Sequence, residues 1–395
     1  MYLSKRSKPF VIPEYSLTGD LLTYLSCGLK YRYHNKGSLP PSKPVQLWFG
    51  EFIHSVLEEA YLVWRDNGKK SFPWDWNDNI REIEIEIYRR LLGKGLSPPL
   101  NLFCPHDETV ESQGLCSNNK HPHKLIASKR VEASINTWGP HLFPLIDEAE
   151  IKLKGTRNIP NHLEKISRSP YYGIKGVADV ISSVNINKIP PGNLILSHIN
   201  QNEDVLKILD TLNTPEYEII IDYKGMSRPA SDSDSCLHHE WQILTYAWLR
   251  SKQPNAKKIT AGIIFYINEL IPSLENFIEL KEDVLNEKTD VEPRGFDLKA
   301  IKNWKKSESI PELSGQFKEK RSIRIIPITE DRIKESLNKF DEVVGEIEMC
   351  VYMESNNRGI NSSWRYNPIE RNCTVCDFKT YCPNPAPSKY RPTVP

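Results

Sequence analysis

Three cysteines within ten residues near one end of the chain, and a single one near the other, restrict how this sequence can fold. The trio reads Cys373-Thr-Val-Cys376-Asp-Phe-Lys-Thr-Tyr-Cys382, a loop short enough to wrap three thiolates around one inorganic centre. Cys27, within Tyr24-Leu25-Ser26-Cys27-Gly28-Leu29-Lys30-Tyr31-Arg32-Tyr33, can supply the fourth. Four thiolates suit zinc or an iron–sulfur cluster, because soft sulfur selects these over magnesium or calcium. A zinc knuckle usually draws its ligands from two local pairs, so the lone distant ligand is unusual. A shared centre would tie the first and last parts of the chain into one domain.

The 395 residues allow two or three average domains, or one core with large insertions. With 39% hydrophobic and 26% charged residues the chain has a globular composition. A net charge of +1 means that any nucleic-acid surface must be a local basic patch. Lys302, Lys305 and Lys306, or Lys318, Lys320, Arg321 and Arg324, could form one, although a solvated charged face explains any single run as well. The segment from Met1 to Pro9 lacks the apolar stretch of a secretory signal, and no uncharged run approaches a membrane span. Eight cysteines in an intracellular chain favour metal ligation over disulfides. A soluble, cytoplasmic protein without a membrane partner is expected.

Residues 48–61 carry Ile53, Val56, Leu57, Ala60 and Tyr61 at helical spacing and predict a buried helix. Residues 66–125, with Pro98-Pro99 and a Cys/His-rich stretch, are less regular and read as an insertion, and 126–138 returns to a helical pattern. Strands are predicted over 148–153, 172–181, 218–224 and 258–267; Ile219-Ile220-Ile221 has the continuous apolar run of a central strand. Residues 183–215 are too long for a hairpin loop and read as a further insertion. Helices are predicted over 241–250 and 333–352, with a polar, irregular stretch at 285–325. Strands interleaved with helices indicate an α/β core.

Asp222 and Lys224, two apart in a strand, leave the same face. Asp179 closes Gly176-Val177-Ala178-Asp179, read as the end of a neighbouring strand. Two carboxylates converging on one point repel each other unless a cation lies between them, and hard oxygen ligands favour magnesium or manganese. Phosphodiester hydrolysis needs such a cation, and a lysine beside it can orient water or stabilise the developing anion.

A helix histidine, then Gly-x-x-Asp, then Asp-x-Lys, in that order, resembles the PD-(D/E)XK nuclease superfamily, and more narrowly its RecB-like branch. The resemblance implies a restriction-endonuclease-like α/β core, a mixed central sheet flanked by helices. It implies His54 as an extra metal ligand, Asp179 and Asp222 as the two carboxylates, Lys224 as the catalytic lysine, and the Tyr223 backbone carbonyl as a further ligand to Mg2+ or Mn2+. The branch's Gln-x-x-x-Tyr motif matches Gln242 and Tyr246, which would contact the nucleic acid. A subgroup that includes AddB and the nucleases of CRISPR adaptation has one cysteine before the core and three after it. Cys27, Cys373, Cys376 and Cys382 fit that pattern and would hold a 4Fe-4S cluster as a staple joining the chain ends. The sequence departs from the family in carrying Asp222 where Glu is commoner, and in the length between Asp179 and Asp222.

The implied function is metal-dependent hydrolysis of DNA, preferentially at single-stranded ends, in repair, recombination or defence, with other complex subunits as candidate partners. The alternatives are an idle nucleic-acid-binding subunit of such a complex and a zinc-stabilised structural protein. Cys104, His106, Cys116, His121 and His123 form a second group that could hold zinc, though their spacing matches no common knuckle. Cys236 reads as a loop thiol, Cys350 as a core residue, and Glu150 as either solvent-facing or an aid to a second metal. The expected organisation is an N-terminal helical part (1–65), an insertion (66–125), the core (126–270, interrupted at 183–215), a polar insertion (271–330), and a C-terminal helix with the cysteine loop (331–395).

Overall fold

The computed structural model describes residues 12–36, 45–96, 122–188, 190–356, 358–374 and 376–386. Six strands form one mixed sheet: β1 (Glu14–Ser16), β2 (Ile146–Asn158), β3 (Tyr171–Asn185), β4 (Glu216–Lys224), β5 (Ile259–Tyr266) and β6 (Ile323–Pro327), with neighbours in the order β1-β3-β4-β5-β6 and β2 paired to β3. The β4–β5 pairing is parallel, whereas β2–β3, β3–β4 and β5–β6 are antiparallel. Helices cover both faces, which is why Ile219, Ile220 and Ile221 of β4 are all fully buried.

In chain order the helices are α1 (Leu22–Ser26), α2 (Gly28–Lys36), α3 (Val45–Asp66), α4 (Arg81–Gly93), α5 (Pro122–Leu142), α6 (Leu194–Asn200), α7 (Glu203–Asp210), α8 (Asp234–Ser251), α9 (Leu274–Leu285), α10 (Gly295–Asn303), α11 (Gly315–Ser322) and α12 (Glu330–Ser355), with shorter turns after them. Helices α3 to α7 pack on one face against Val180, Ile219, Ile221, Ala261 and Phe265. The N-terminal segment, α8 and α12 pack on the other, against Ile174, Ile220, Ile264 and Ile326. Ser233 caps α8 by accepting from the Cys236 N–H, so Cys236 is a buried helix residue and not a loop thiol; Cys350 is buried as expected.

Several irregular-looking stretches are helical. In residues 81–88 the Glu-Ile alternation hides a helical stripe in which Ile80, Ile83, Ile87 and Leu91 are buried against α3. Likewise, Ile195, Leu196, Ile199 and Val205 of α6 and α7 join the main core. Helices α9, α10 and α11 enclose a small core of their own around Phe277, Ile301, Trp304 and Phe317. Arg321 does not belong to a basic surface: it is buried, with its guanidinium 2.7 Å from Glu269. Arg324 also turns inward, to Glu240 at 3.0 Å. Among the described residues, no helix is long and apolar enough to cross a membrane.

Candidate active site

The site forms where the sheet splays. One edge of β3 is occupied by β2 from Tyr171 to Ser182. The other edge is shared, by β1 opposite residues 173–175 and by β4 opposite residues 180–185. Residues 176–179 lie between these two partners, so Asp179 sits at a gap within the strand rather than at its end. There its Oδ2 accepts from the Tyr223 N–H at 2.8 Å, replacing the ladder bond that β4 loses on leaving β3. In an extended strand the N–H and C=O of one residue face the same edge, so the Tyr223 carbonyl is also directed toward β3. His54, on α3, places Nδ1 3.3 Å from the same Asp179 oxygen.

Asp222 and Lys224 extend toward α8. Lys224 Nζ lies 2.6 Å from Asp222 Oδ2 and donates to Gln242 Oε1 at 2.7 Å. Gln242 Nε2 donates to Asp222 Oδ1 at 3.1 Å and to the Tyr246 hydroxyl at 2.9 Å. The Asp222 side chain is only 3% exposed, and its Oδ2 accepts no hydrogen bond; the Lys224 contact there is ionic. Gly176 has a steric role: a Cβ there would come within 2.5 Å of the Tyr246 ring. The six residues His54, Asp179, Asp222, Lys224, Gln242 and Tyr246 are thus drawn from both helical layers to one point of the sheet.

Glu150 joins them. The β2–β3 pairs Ala149–Val180 and Ile151–Ala178 place it opposite Asp179, and its backbone takes a left-handed φ of 52°. His54, Glu150 and Asp179 each offer a ligand atom within 4.8 Å of the others. This side chain could not be oriented from sequence, because strand alternation alone does not say which strand lies beside which.

Burial lowers the His54 imidazole, but the Asp179 charge, its contact and Asp222 together outweigh this and raise it to about 9. Glu150 is an exposed side chain, yet partial desolvation of its carboxyl, helped by the Asp179 and Glu58 charges beside it, raises it to about 7. Burial also pushes Asp222 above the usual carboxylate range despite Lys224. For Asp179 burial acts upward but loses to His54 and the Tyr223 N–H, and the net shift is downward. Groups with raised folded values stabilise the fold below their unfolded values and lose that contribution as pH rises through the folded ones. The metal-free protein should therefore lose melting temperature as pH rises from about 4.5 to 7 through Glu150 and from about 6.5 to 9 through His54. Added Mn2+ should reverse the loss at the alkaline end, which differential scanning calorimetry across that range would show.

Residues 208–383 match the model of the PD-(D/E)XK nuclease superfamily. That segment holds Asp222, Lys224, Gln242, Tyr246 and the three C-terminal cysteines, while His54, Glu150, Asp179 and Cys27 lie before it. Members of the superfamily are generally nucleases that use divalent metals, and the match suggests a nuclease. No curated protein matches the chain. A solved structure titled "Crystal structure of SSO0001" is 13% identical, with a TM-score of 0.23 over 90% of this chain and 92% of that one.

Away from this site, Cys27, Cys373, Cys376 and Cys382 line a single cavity with Leu29, Tyr33 and Phe378. Burial raises the Cys376 thiol, with Cys27 and Cys373 adding to the effect. Docking of the two chain ends also rests on Leu29 N–H donating to the Arg365 carbonyl at 3.0 Å, and on Tyr33 packed in a tilted contact 5.4 Å from Phe378. Cys104, His106, Cys116 and His121, and the side chain of His123, lie outside the described residues.

Proposed function

We propose that this chain is a divalent-metal-dependent DNA nuclease that hydrolyses phosphodiester bonds, preferentially from single-stranded ends, in repair, recombination or defence. The observation that carries the reading is the meeting of Asp179 and Asp222 where β3 and β4 part, with Lys224 and His54 against them. The donor set fits a hard cation, since His54 and Asp179 bring ligand atoms together at the gap in the sheet and Asp222 Oδ2 makes only an ionic contact to Lys224. His54, Asp179, Asp222 and the Tyr223 carbonyl would hold Mg2+ or Mn2+. Bound there, the ion would supply charge neutralisation at the scissile phosphate and acidify water.

The remaining work falls to the chain itself. Lys224 carries a fixed positive charge to the place where negative charge develops on the phosphate, and it can orient the attacking water. Gln242 holds both ends of the Asp222–Lys224 pair, and Tyr246 backs Gln242 from one helical turn further on. Alanine at Gln242 or Tyr246 should lower DNA affinity or rate by about tenfold or more, with Mn2+ affinity changed far less. Filter binding, single-turnover cleavage and Mn2+ titration separate these effects, and unchanged values for both variants would return the pair to ordinary helix packing.

The four cysteines would hold a 4Fe-4S cluster. Their lining of one shared cavity supports a single four-thiolate centre there.

The deciding experiment is digestion of end-labelled single- and double-stranded DNA with Mg2+ or Mn2+, beside an Asp222→Ala control. Release of labelled nucleotides from single strands by the wild type alone is the expected result. Metal binding and DNA binding without cleavage would favour the idle-subunit reading.

A further inference from the structure

We infer that Glu150 is a metal-binding residue, and that a divalent cation docks first among His54, Glu150 and Asp179 while Asp222 is still held by Lys224 and Gln242. The inference rests on the nuclease reading and goes beyond the ligand set that the resemblance implies, which does not include Glu150. Three observations lead to it.

First, His54, Glu150 and Asp179 are brought together from α3, β2 and β3, with one donor atom of each within 4.8 Å of the others. The donors of an octahedral ion with bonds of about 2.0–2.1 Å lie about 2.9–4.2 Å apart, so small side-chain movements suffice to close the shell. Second, both oxygens of Asp222 are engaged, Oδ1 by the Gln242 amide and Oδ2 by the Lys224 ammonium. Using Asp222 as a ligand means breaking or sharing those contacts. By contrast, Glu150 has no hydrogen bond or ion pair among the described residues, is exposed, and has a carboxylate oxygen within 4.8 Å of the His54 and Asp179 donor atoms. Third, Glu150 and Asp179 are opposite one another across two paired strands, where two carboxylates repel unless a cation lies between them. The Asp222–Lys224–Gln242 triad is then the half of the site that rearranges as the phosphate arrives.

The test is Mn2+ binding to the metal-free full-length protein without DNA, read from the loss of the free-Mn2+ electron paramagnetic resonance signal. Glu150→Gln should weaken binding about tenfold or more, whereas Glu148→Gln, on the same strand but paired with Arg250 at 3.0 Å, should stay within about threefold of wild type. Glu150→Gly separates ligation from folding. Glycine accepts the left-handed backbone without a Cβ penalty, so this variant should melt no lower than wild type without metal and still bind Mn2+ poorly. Wild-type affinity in both Glu150 variants overturns the inference, as does an equal loss of binding in Glu148→Gln. In either case binding by the wild type leaves the nuclease reading standing. A wild-type protein that binds no Mn2+ would overturn both.

Discussion

Asp222→Ala is expected to reduce cleavage of single-stranded DNA by about a thousandfold or more, the scale set by removing one preorganised group that acts on the transition state. Folding should be little affected. Burial disfavours the charged Asp222 carboxylate, and alanine removes that desolvation cost along with the Lys224 and Gln242 contacts. Lys224 would keep its Gln242 partner at 2.7 Å. Lys224→Ala should cost similar activity, through loss of the only side-chain cation contacting Asp222 among the described residues. Asp179→Ala should cost both activity and stability, because it strips the Tyr223 N–H of its acceptor and His54 of its anion; an unsatisfied buried donor costs about 1–3 kcal/mol. Asp179→Asn keeps an acceptor for that N–H and should isolate the catalytic loss from the structural one. His54→Ala should be milder if the carboxylates alone can hold the cation. Single-turnover rates measured beside thermal melts test the set, and activity within about tenfold of wild type for Asp222→Ala, Lys224→Ala or Asp179→Ala would sink the assignment.

The central strand and the site on it were legible in the sequence because each depends on short-range pattern. Ile219, Ile220 and Ile221 announce a strand buried on both faces, and Asp222 and Lys224 follow from its period of two. Gln242 and Tyr246 need only the helical turn. What stayed hidden depends on pairing between distant segments. Asp179 reads as a strand end in sequence because the sequence cannot show that β1 and β4 share one edge of β3 and leave a gap between them. Glu150 gains its position only from the β2–β3 register, which no local pattern encodes. Helix α4 was missed for the opposite reason: its Glu-Ile alternation imitates a strand, and burial against α3 decides in favour of the helix. The three residues of β1 and five of β6 are too short to give a periodic signal at all.

Cys27→Ser is expected to yield colourless, aggregation-prone protein, whereas the wild type purified without oxygen should be brown and carry about four irons and four sulfides per chain. The effect is topological. Cys27 and Cys373 are 346 residues apart (373 − 27), and closing a flexible loop of that length costs about 5 kcal/mol of chain entropy. A centre bound only when all four sulfurs meet stabilises the folded chain over the open one. The other contacts between the ends reduce what the centre must supply without replacing it. Tyr24 and Tyr31 pack on Trp364 at 6.4 and 5.9 Å, and Arg32 pairs with Glu354 at 2.6 Å, so the termini are already aligned before the sulfurs are joined. Serine at position 27 should therefore lower the melting temperature without unfolding the sheet, and any fall in cleavage should track the fraction of soluble, folded protein. The hydrolytic groups, by contrast, come from α3, β3, β4 and α8, and none of them lines the cysteine cavity. A folded Cys27→Ser protein that has lost all cleavage would contradict a purely structural centre. One equivalent of zinc and no iron in the wild type would replace the cluster by a zinc site while leaving the join between the chain ends intact.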